Sequence, residues 1–226
     1  MKTLRSPFIK LALVVLFGSA IALSSCSKKN DATPSGSAFI MVTNAAEGSA
    51  GQDFYLDKTK LNASAVAYTQ SSAYFTSTAG DHSAQFVTSG SSTVNAQFNL
   101  SLQAGQYYSA YYTGGAGGSN YFFAQDDLSA PQSGKAKVRF IHLASVVTSS
   151  VDFGLSSGNK LATNLAYRAA SAYYTVDANT NFSLYLAGST TAVLTIPAAV
   201  QAGKIYTIYV SGTTQATITY HVVVQN

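Results

Sequence analysis

The sequence has one cysteine and no tryptophan among its 226 residues, and only 10% of its residues are charged. A single cysteine excludes an internal disulfide, so folding depends on the burial of apolar side chains. The three histidines, His82, His142 and His221, are far apart in the sequence and do not form a metal-binding motif. The sequence also lacks a Gly-x-Ser-x-Gly motif and any Ser/His/Asp set. We therefore expect a protein that is not an enzyme, with no catalytic residues, no metal and no cofactor.

No apolar run is long enough for a permanent membrane span. The longest, residues 11–23, has 13 residues, against the roughly 20 that a spanning helix needs. Basic residues precede it and Leu23-Ser24-Ser25-Cys26 follows it, a sequence that resembles a bacterial lipobox. This resemblance implies that residues 1–25 are a signal peptide and that Cys26 carries a covalent lipid. The alternative is an ordinary secretory signal with a chance cysteine.

The segment after the lipobox, within residues 26–37, is polar and aperiodic, and we expect it to be a disordered tether. Three of the 13 basic residues lie in residues 1–25, so the mature chain has ten basic residues against nine acidic ones. Because no basic stripe remains, nucleic acid is not an expected partner. We expect the lipid to hold the protein on a membrane of the cell envelope. Ser27 resembles an outer-membrane sorting position, so the expected location is the outer membrane, with exposure at the cell surface left open.

The rest of the chain is a repeat with a period near 99 residues. Residues 103–112, Gln-Ala-Gly-Gln-Tyr-Tyr-Ser-Ala-Tyr-Tyr, return as Gln-Ala-Gly-Lys-Ile-Tyr-Thr-Ile-Tyr-Val at residues 201–210. This period is too long for a solenoid unit and suits a whole domain. The repeat predicts two tandem domains, residues 38–130 and 135–226, joined at residues 131–134.

Each domain has the pattern of a β-rich fold. Val138, Phe140 and His142 alternate with Arg139 and Ile141, as expected for a strand with one buried face. Similar runs recur, separated by Gly-, Asn- and Ser-rich turns, and about seven short strands per domain indicate an immunoglobulin-like antiparallel β-sandwich. The cysteine pair and tryptophan of antibody domains are absent, so the expectation concerns only the architecture.

Several segments resemble the DUF4397 family, a repeat of bacterial envelope proteins. Residues 138–144, Val-Arg-Phe-Ile-His-Leu-Ala, and residues 151–153, Val-Asp-Phe, resemble the opening of the family pattern, and residues 201–207 resemble a later segment. The resemblance covers nearly all of residues 38–226 and is better in the second domain. It departs at residues 145–149, where the family carries a turn with proline and aspartate. The family has no known function, so the resemblance implies a fold and a location.

The strongest candidate for a binding surface is aromatic. If Tyr108 and its alternate neighbours face the core, Tyr107 and Tyr111 point outward, and Tyr121 and Phe123 follow across a Gly-rich tip. Exposed tyrosines stack on sugars and anchor protein partners. These four residues, Tyr107, Tyr111, Tyr121 and Phe123, are therefore the candidate ligand contacts. The alternative is that the rings serve domain–domain contact or cross-strand pairing.

Two polar groups are interpreted as surface features. His82 follows Gly80 and Asp81 in a predicted turn, and Asp126 and Asp127 form an acidic pair before the joint. A weak calcium site is the alternative for the acidic pair.

Two classes of function remain. The first is a binding or adhesive module for a glycan or an envelope protein. The second is a structural accessory subunit of a larger envelope assembly with no ligand of its own. An aromatic face that is clear of the other domain favours the first class, and a face that is covered by it favours the second.

Overall fold

The computed structural model describes residues 35–115 and 120–226. The predicted signal peptide, Cys26 and most of the predicted tether lie outside these residues. The regular secondary structure of the described residues is β-strand apart from one short 3-10 helix, and no helix among these residues is long and apolar enough to cross a membrane. The first repeat contains β1 (Ser37–Asn44), β2 (Gln52–Leu56), β3 (Thr59–Lys60), β4 (Phe75–Thr78), β5 (Gly80–Thr88), β6 (Val94–Leu102), β7 (Tyr107–Tyr112) and β8 (Tyr121–Asp126). The second repeat contains β9 (Lys135–Ala144), β10 (Val151–Leu155), β11 (Lys160–Leu165), β12 (Ala169–Asp177), β13 (Phe182–Leu186), β14 (Ala192–Ile196), β15 (Ile205–Gly212), the short 3-10 helix Gln215–Thr217 and β16 (Thr219–Val224).

The two repeats have the same topology. In the first repeat the sheets have the orders β4-β1-β7-β8 and β3-β2-β5-β6, and in the second they have β12-β9-β15-β16 and β11-β10-β13-β14. Each strand of one repeat therefore has a counterpart at the same sheet position in the other. This arrangement confirms the prediction of an all-β chain with two sandwiches.

The sequence predicted antiparallel sheets, but the sheets in the structure are not wholly antiparallel. β1 pairs in parallel with β7, and β9 pairs in parallel with β15. Parallel neighbours need a long crossover connection, and here the intervening chain forms the opposite sheet of the same sandwich. Alternation along one strand gives its buried face but not the direction of its neighbour, which is why the sequence did not show this pairing.

The repeated Gln-Ala-Gly motif has a local structural cause. Gly105 and Gly203 have φ angles of +77° and +79°, a conformation that glycine adopts without steric cost, and each ends the turn before β7 or β15. The hydroxyl of Tyr108 then accepts a hydrogen bond of 3.0 Å from the backbone N–H of Gln103. In the second repeat the same bond, also 3.0 Å, joins Tyr206 to the residue at the start of its motif. The motif therefore fixes the entry of the central strand in each sandwich.

Each sandwich has its own apolar core between its two sheets. Alternate residues of β1 and β7 face the core of the first repeat, and their counterparts in β9 and β15 face that of the second. The fully buried members with large side chains are Ile40, Phe54, Phe86 and Leu102 in the first core, and Phe140, Phe153, Phe182 and Leu184 in the second.

A third apolar layer lies between the two repeats. Met41 and Tyr111 of the first repeat pack with Ile141, Leu143 and Tyr209 of the second. These side chains come from the faces of β1, β7, β9 and β15 that point away from the sandwich cores. The central strands are therefore buried on both faces, which contradicts the expectation of one exposed face. The four sheets form a stack, and the described residues, 35–115 and 120–226, belong to one compact unit.

Candidate binding cleft between the repeats

A buried ion pair joins the two repeats. Arg139 of β9 is 2% exposed and Asp126 of β8 is 3% exposed, and the guanidinium Nη2 lies 2.6 Å from Asp126 Oδ1. The same guanidinium donates to Thr207 Oγ1 and to the Gln125 carbonyl oxygen. Burial lowers the pKa of Arg139, but the charge of Asp126 and nearby tyrosines outweigh it, so its pKa is raised. Arg139 therefore stays charged, and its charge is neutralised within the interface.

A network of neutral polar groups surrounds this pair. Asp126 Oδ2 accepts hydrogen bonds from Ser109 Oγ at 2.6 Å and from the Tyr74 hydroxyl at 2.7 Å. Gln225 donates from its side-chain amide to the Tyr74 hydroxyl and accepts from the Tyr173 hydroxyl. Burial, together with the charge of Asp126, raises the pKa of Tyr74, so this hydroxyl remains a donor. The network crosses the repeat boundary and fixes one repeat against the other.

The interpretation of Asp126 and Asp127 as an exposed acidic pair is wrong for Asp126. β8 turns this carboxylate toward the second repeat, where Arg139 neutralises it. Asp127 is 55% exposed, and its Oδ2 lies 2.7 Å from Lys137 Nζ. No group of three or more potential metal-binding side chains occurs in the part of the chain that the structure describes. Arginine within an apolar strand was the sequence signal for a buried partner, because an unpaired buried charge is costly.

The second ion pair lies at the edge of the interface. Lys137 Nζ also donates to the Ser129 hydroxyl at 2.7 Å and to its carbonyl oxygen at 3.0 Å. The hydrogen bond from Lys137, followed by one from Ser129, lowers the pKa of Asp127 to about 2. The chain that leaves β8 is thus held against the start of β9.

A cleft of about 600 Å³ opens beside these ion pairs. Its walls come from the turn before β7, from β8 and the segment after it, and from β9 and β12. Its lining includes the polar, charged and aromatic residues Gln106, Tyr107, Gln125, Asp127, Arg139 and Tyr173. Its volume lies within the range of about 300–1,000 Å³ that is usual for small-molecule sites, which often occur between domains.

The structure separates the two tyrosines predicted to point outward. Both point away from the first sandwich core, but Tyr111 is fully buried against the second repeat, where its ring meets Tyr209 edge-on at 5.7 Å. Tyr111 is therefore wrong as an exposed ligand contact. Tyr107 is half-buried and lines the cleft. Its ring stacks on Phe39 at 4.5 Å and meets Tyr74 edge-on at 5.1 Å.

Tyr121 and Phe123 are half-buried and face the core of the first sandwich, so they do not share a surface with Tyr107. β8 pairs with β7 so that Tyr121 lies opposite Tyr112 and Phe123 lies opposite Ala110. Residues directly opposite in an antiparallel pair share a face, and here that face is the core of the first sandwich. The two rings stack on core aromatic rings at centroid distances of 3.9 and 5.3 Å. The sequence did not give the register of β8 on β7, which decides their direction.

The histidines do not form a common site. His82 lies in β5 rather than in an exposed turn, with Nδ1 2.6 Å from Asp57 Oδ2 and Nε2 2.9 Å from the Thr78 carbonyl oxygen. His142 is fully buried, and burial lowers its pKa. His221 lies between the repeats, and burial lowers its pKa to about 4. The latter two are therefore neutral at pH 7.

The fold and the cleft define a β-sandwich protein of two repeats with a polar and aromatic cleft at their junction. The family model described as a domain of unknown function (DUF4397) matches residues 38–153, and the chain belongs to this family. The matched range covers the first repeat and the first two strands of the second, whereas the better match was expected in the second repeat. No curated protein matches the chain.

One solved structure with similarity is that of CBMbc (family CBM26) from Eubacterium rectale Amy13K in complex with maltoheptaose. It is 14% identical, and the alignment covers 84% of this chain and 97% of that one, with a TM-score of 0.26. At this TM-score the likeness carries no argument about the fold or the ligand of this protein.

Proposed function

We propose that this protein is a lipid-anchored, non-enzymatic binding module of the cell envelope, and that its ligand site is the cleft between the repeats. The observation that carries the proposal is the cleft of about 600 Å³ lined by Tyr107, Tyr173 and the side-chain amides of Gln106 and Gln125. Aromatic rings with a few fixed polar groups are the usual chemistry of a ligand site. The ligand is a glycan or an envelope protein.

The proposed location follows from the beginning of the sequence. Residues 1–25 have the pattern of a signal peptide, and Cys26 is the one cysteine that can take the lipid. An anchor with two or more acyl chains holds a protein stably on a membrane. We therefore propose the outer membrane as the site of action, with the membrane as the first partner.

A structural accessory subunit is the second candidate, and the burial of Tyr111 favours it. Of the four aromatic residues predicted as ligand contacts, Tyr111 is covered by the second repeat, and such covering was the criterion for this class. Replacing Tyr107 distinguishes the binding module from the accessory subunit, because Tyr107 lies at the edge of the covered face and lines the cleft.

A glycan array and an envelope pull-down with the full chain in detergent test the proposal. Tyr107→Ala is expected to remove most of the captured ligand, since a few aromatic anchors dominate such contacts. Tyr55→Ala is the matched control, because Tyr55 is a half-buried strand tyrosine that does not line the cleft. Equal capture by both variants and the unchanged protein, or no capture by any of them, would favour the accessory subunit.

A further inference from the structure

We infer that the cleft between the repeats takes an uncharged oligosaccharide. This inference rests on the binding function proposed above and adds the chemical class of the ligand. It follows from three properties of the cleft, which are its charge balance, its fixed aromatic rings and its amide groups.

The charged side chains of the cleft neutralise one another. Three charged residues line it, and each has an opposite partner within the described chain: Arg139 with Asp126 at 2.6 Å, and Asp127 with Lys137 at 2.7 Å. Two positive and two negative groups leave no net charge at the site. An anionic or cationic ligand would have to compete with ion pairs already formed, whereas a neutral ligand would not.

The aromatic rings of the cleft are held in place before any ligand binds. Tyr107 is fixed by its contacts with Phe39 and Tyr74. Tyr173 donates its hydroxyl to Gln225, and the Arg139 guanidinium lies 4.9 Å from the centre of its ring. Fixed rings lose little conformational entropy on binding, so they provide favourable platforms for the apolar faces of sugar rings.

The polar groups of the cleft suit hydroxyl groups. Gln125 Nε2 donates to Gln106 Oε1 at 2.7 Å, which orients both amides. A side-chain amide has two donor hydrogens and an acceptor oxygen, so each retains capacity for a ligand that both donates and accepts, as a hydroxyl does. Leu128 is the one large aliphatic side chain among the described residues that line the cleft. A peptide, which needs apolar pockets for its anchors, fits this lining less well.

The test is calorimetric titration of the full chain in detergent with two panels of hexasaccharides of equal length. One panel is neutral (glucose, mannose, galactose and N-acetylglucosamine polymers) and the other is made of uronic acids. We expect a neutral hexasaccharide to bind, with a dissociation constant that changes by less than about twofold between ~50 and ~500 mM NaCl, because salt screens only charged contacts.

Two variants locate the binding. Tyr107→Ala is expected to weaken it about tenfold, equivalent to ~1.4 kcal/mol. Gln125→Ala is expected to weaken it about threefold or more, without loss of a buried side chain. Gln97→Ala is the matched control, because Gln97, like Gln125, is an exposed strand glutamine that is hydrogen-bonded to a second glutamine. Gln97 accepts its bond from Gln85 and lies on β6 away from the cleft. It should leave the affinity unchanged.

The outcomes separate this inference from the function on which it rests. Salt-sensitive binding of uronic-acid hexasaccharides, lost in Gln125→Ala, would overturn the uncharged ligand but keep the cleft as a binding site. A protein captured through the cleft with no glycan bound would overturn the inference in the same way. Binding that both cleft variants leave unchanged would overturn the inference and the proposed site together.

Discussion

Replacing Asp126 by alanine should destabilise the protein more than any other single change of a charged side chain in β8 and the segment that follows. The replacement removes the acceptor of three hydrogen bonds, from Arg139, Ser109 and Tyr74, and leaves the guanidinium buried without its anion. Breaking a buried pair in this way costs about 3–5 kcal/mol. For a chain of this size, each kcal/mol lowers the melting temperature by about 2–4 °C, so a fall of about 6–20 °C is expected.

Urea unfolding followed by circular dichroism measures this free energy. Asp127→Ala is the control, because it removes the neighbouring carboxylate from an ion pair that is 55% exposed on the acidic side. In this variant Lys137 keeps its hydrogen bonds to Ser129, so the control should lose clearly less free energy of unfolding than Asp126→Ala.

The double variant Asp126→Ala with Arg139→Met tests whether the destabilisation by Asp126→Ala comes from the unpaired charge of Arg139 or from the loss of contacts. It should be more stable than Asp126→Ala alone, because methionine at position 139 removes the unpaired charge from the interface. If Asp126→Ala costs no more than Asp127→Ala, water reaches Arg139 in solution. The repeats would then not form the closed interface on which the geometry of the cleft depends.

Three further predictions concern single groups. NMR of the Asp127 carboxyl carbon should show a pKa of about 2. The stability that the ionised Asp127 contributes is therefore fully present above pH 4 and is lost as the pH falls toward 2. In Lys137→Met the pKa of Asp127 should rise toward 4, and an unchanged pKa would contradict the ion pair with Lys137. His221 has a pKa of about 4 in the folded state, below its ordinary 6.5, so the free energy of unfolding should fall by an amount on the order of 2 kcal/mol as the pH drops from 7 to 4. Urea titrations at several pH values should show a weaker pH dependence in His221→Gln. An equal dependence in this variant would mean that other groups cause it. Cys26→Ser should abolish the incorporation of a clickable fatty acid in cells, and equal labelling of the variant would exclude the lipid anchor at this residue.

The strand pattern and the duplication could be predicted from the sequence because both depend on local rules. Period-2 alternation locates the strands, and Gly105 and Gly203 mark equivalent turns because only glycine adopts their conformation easily. The face of each residue within β7 was also predictable, since Tyr108 and Tyr111 do point in opposite directions.

The candidate site could not be predicted in the same way, because it depends on what covers the second face of each sheet. Tyr111 has the same pattern whether that face meets water or another sheet, and the contact with Tyr209 is specified only by the packing of one repeat on the other. The partner of Arg139 lies beyond the joint on a strand whose register the pattern does not set. Non-local register and inter-repeat packing therefore decided which aromatic residues remained available to a ligand.

The most direct test of the proposed function is to map the bound ligand on the protein. Amide shifts of the isotope-labelled chain would be followed by NMR during titration with the neutral hexasaccharide that binds best. We predict that the largest changes fall on the backbone of Gly105 to Tyr107, on Asp127 to Ser129, and on the side-chain amides of Gln106 and Gln125. Changes concentrated on the outer sheets, or no change with any neutral glycan, would contradict the cleft as a site for an uncharged sugar.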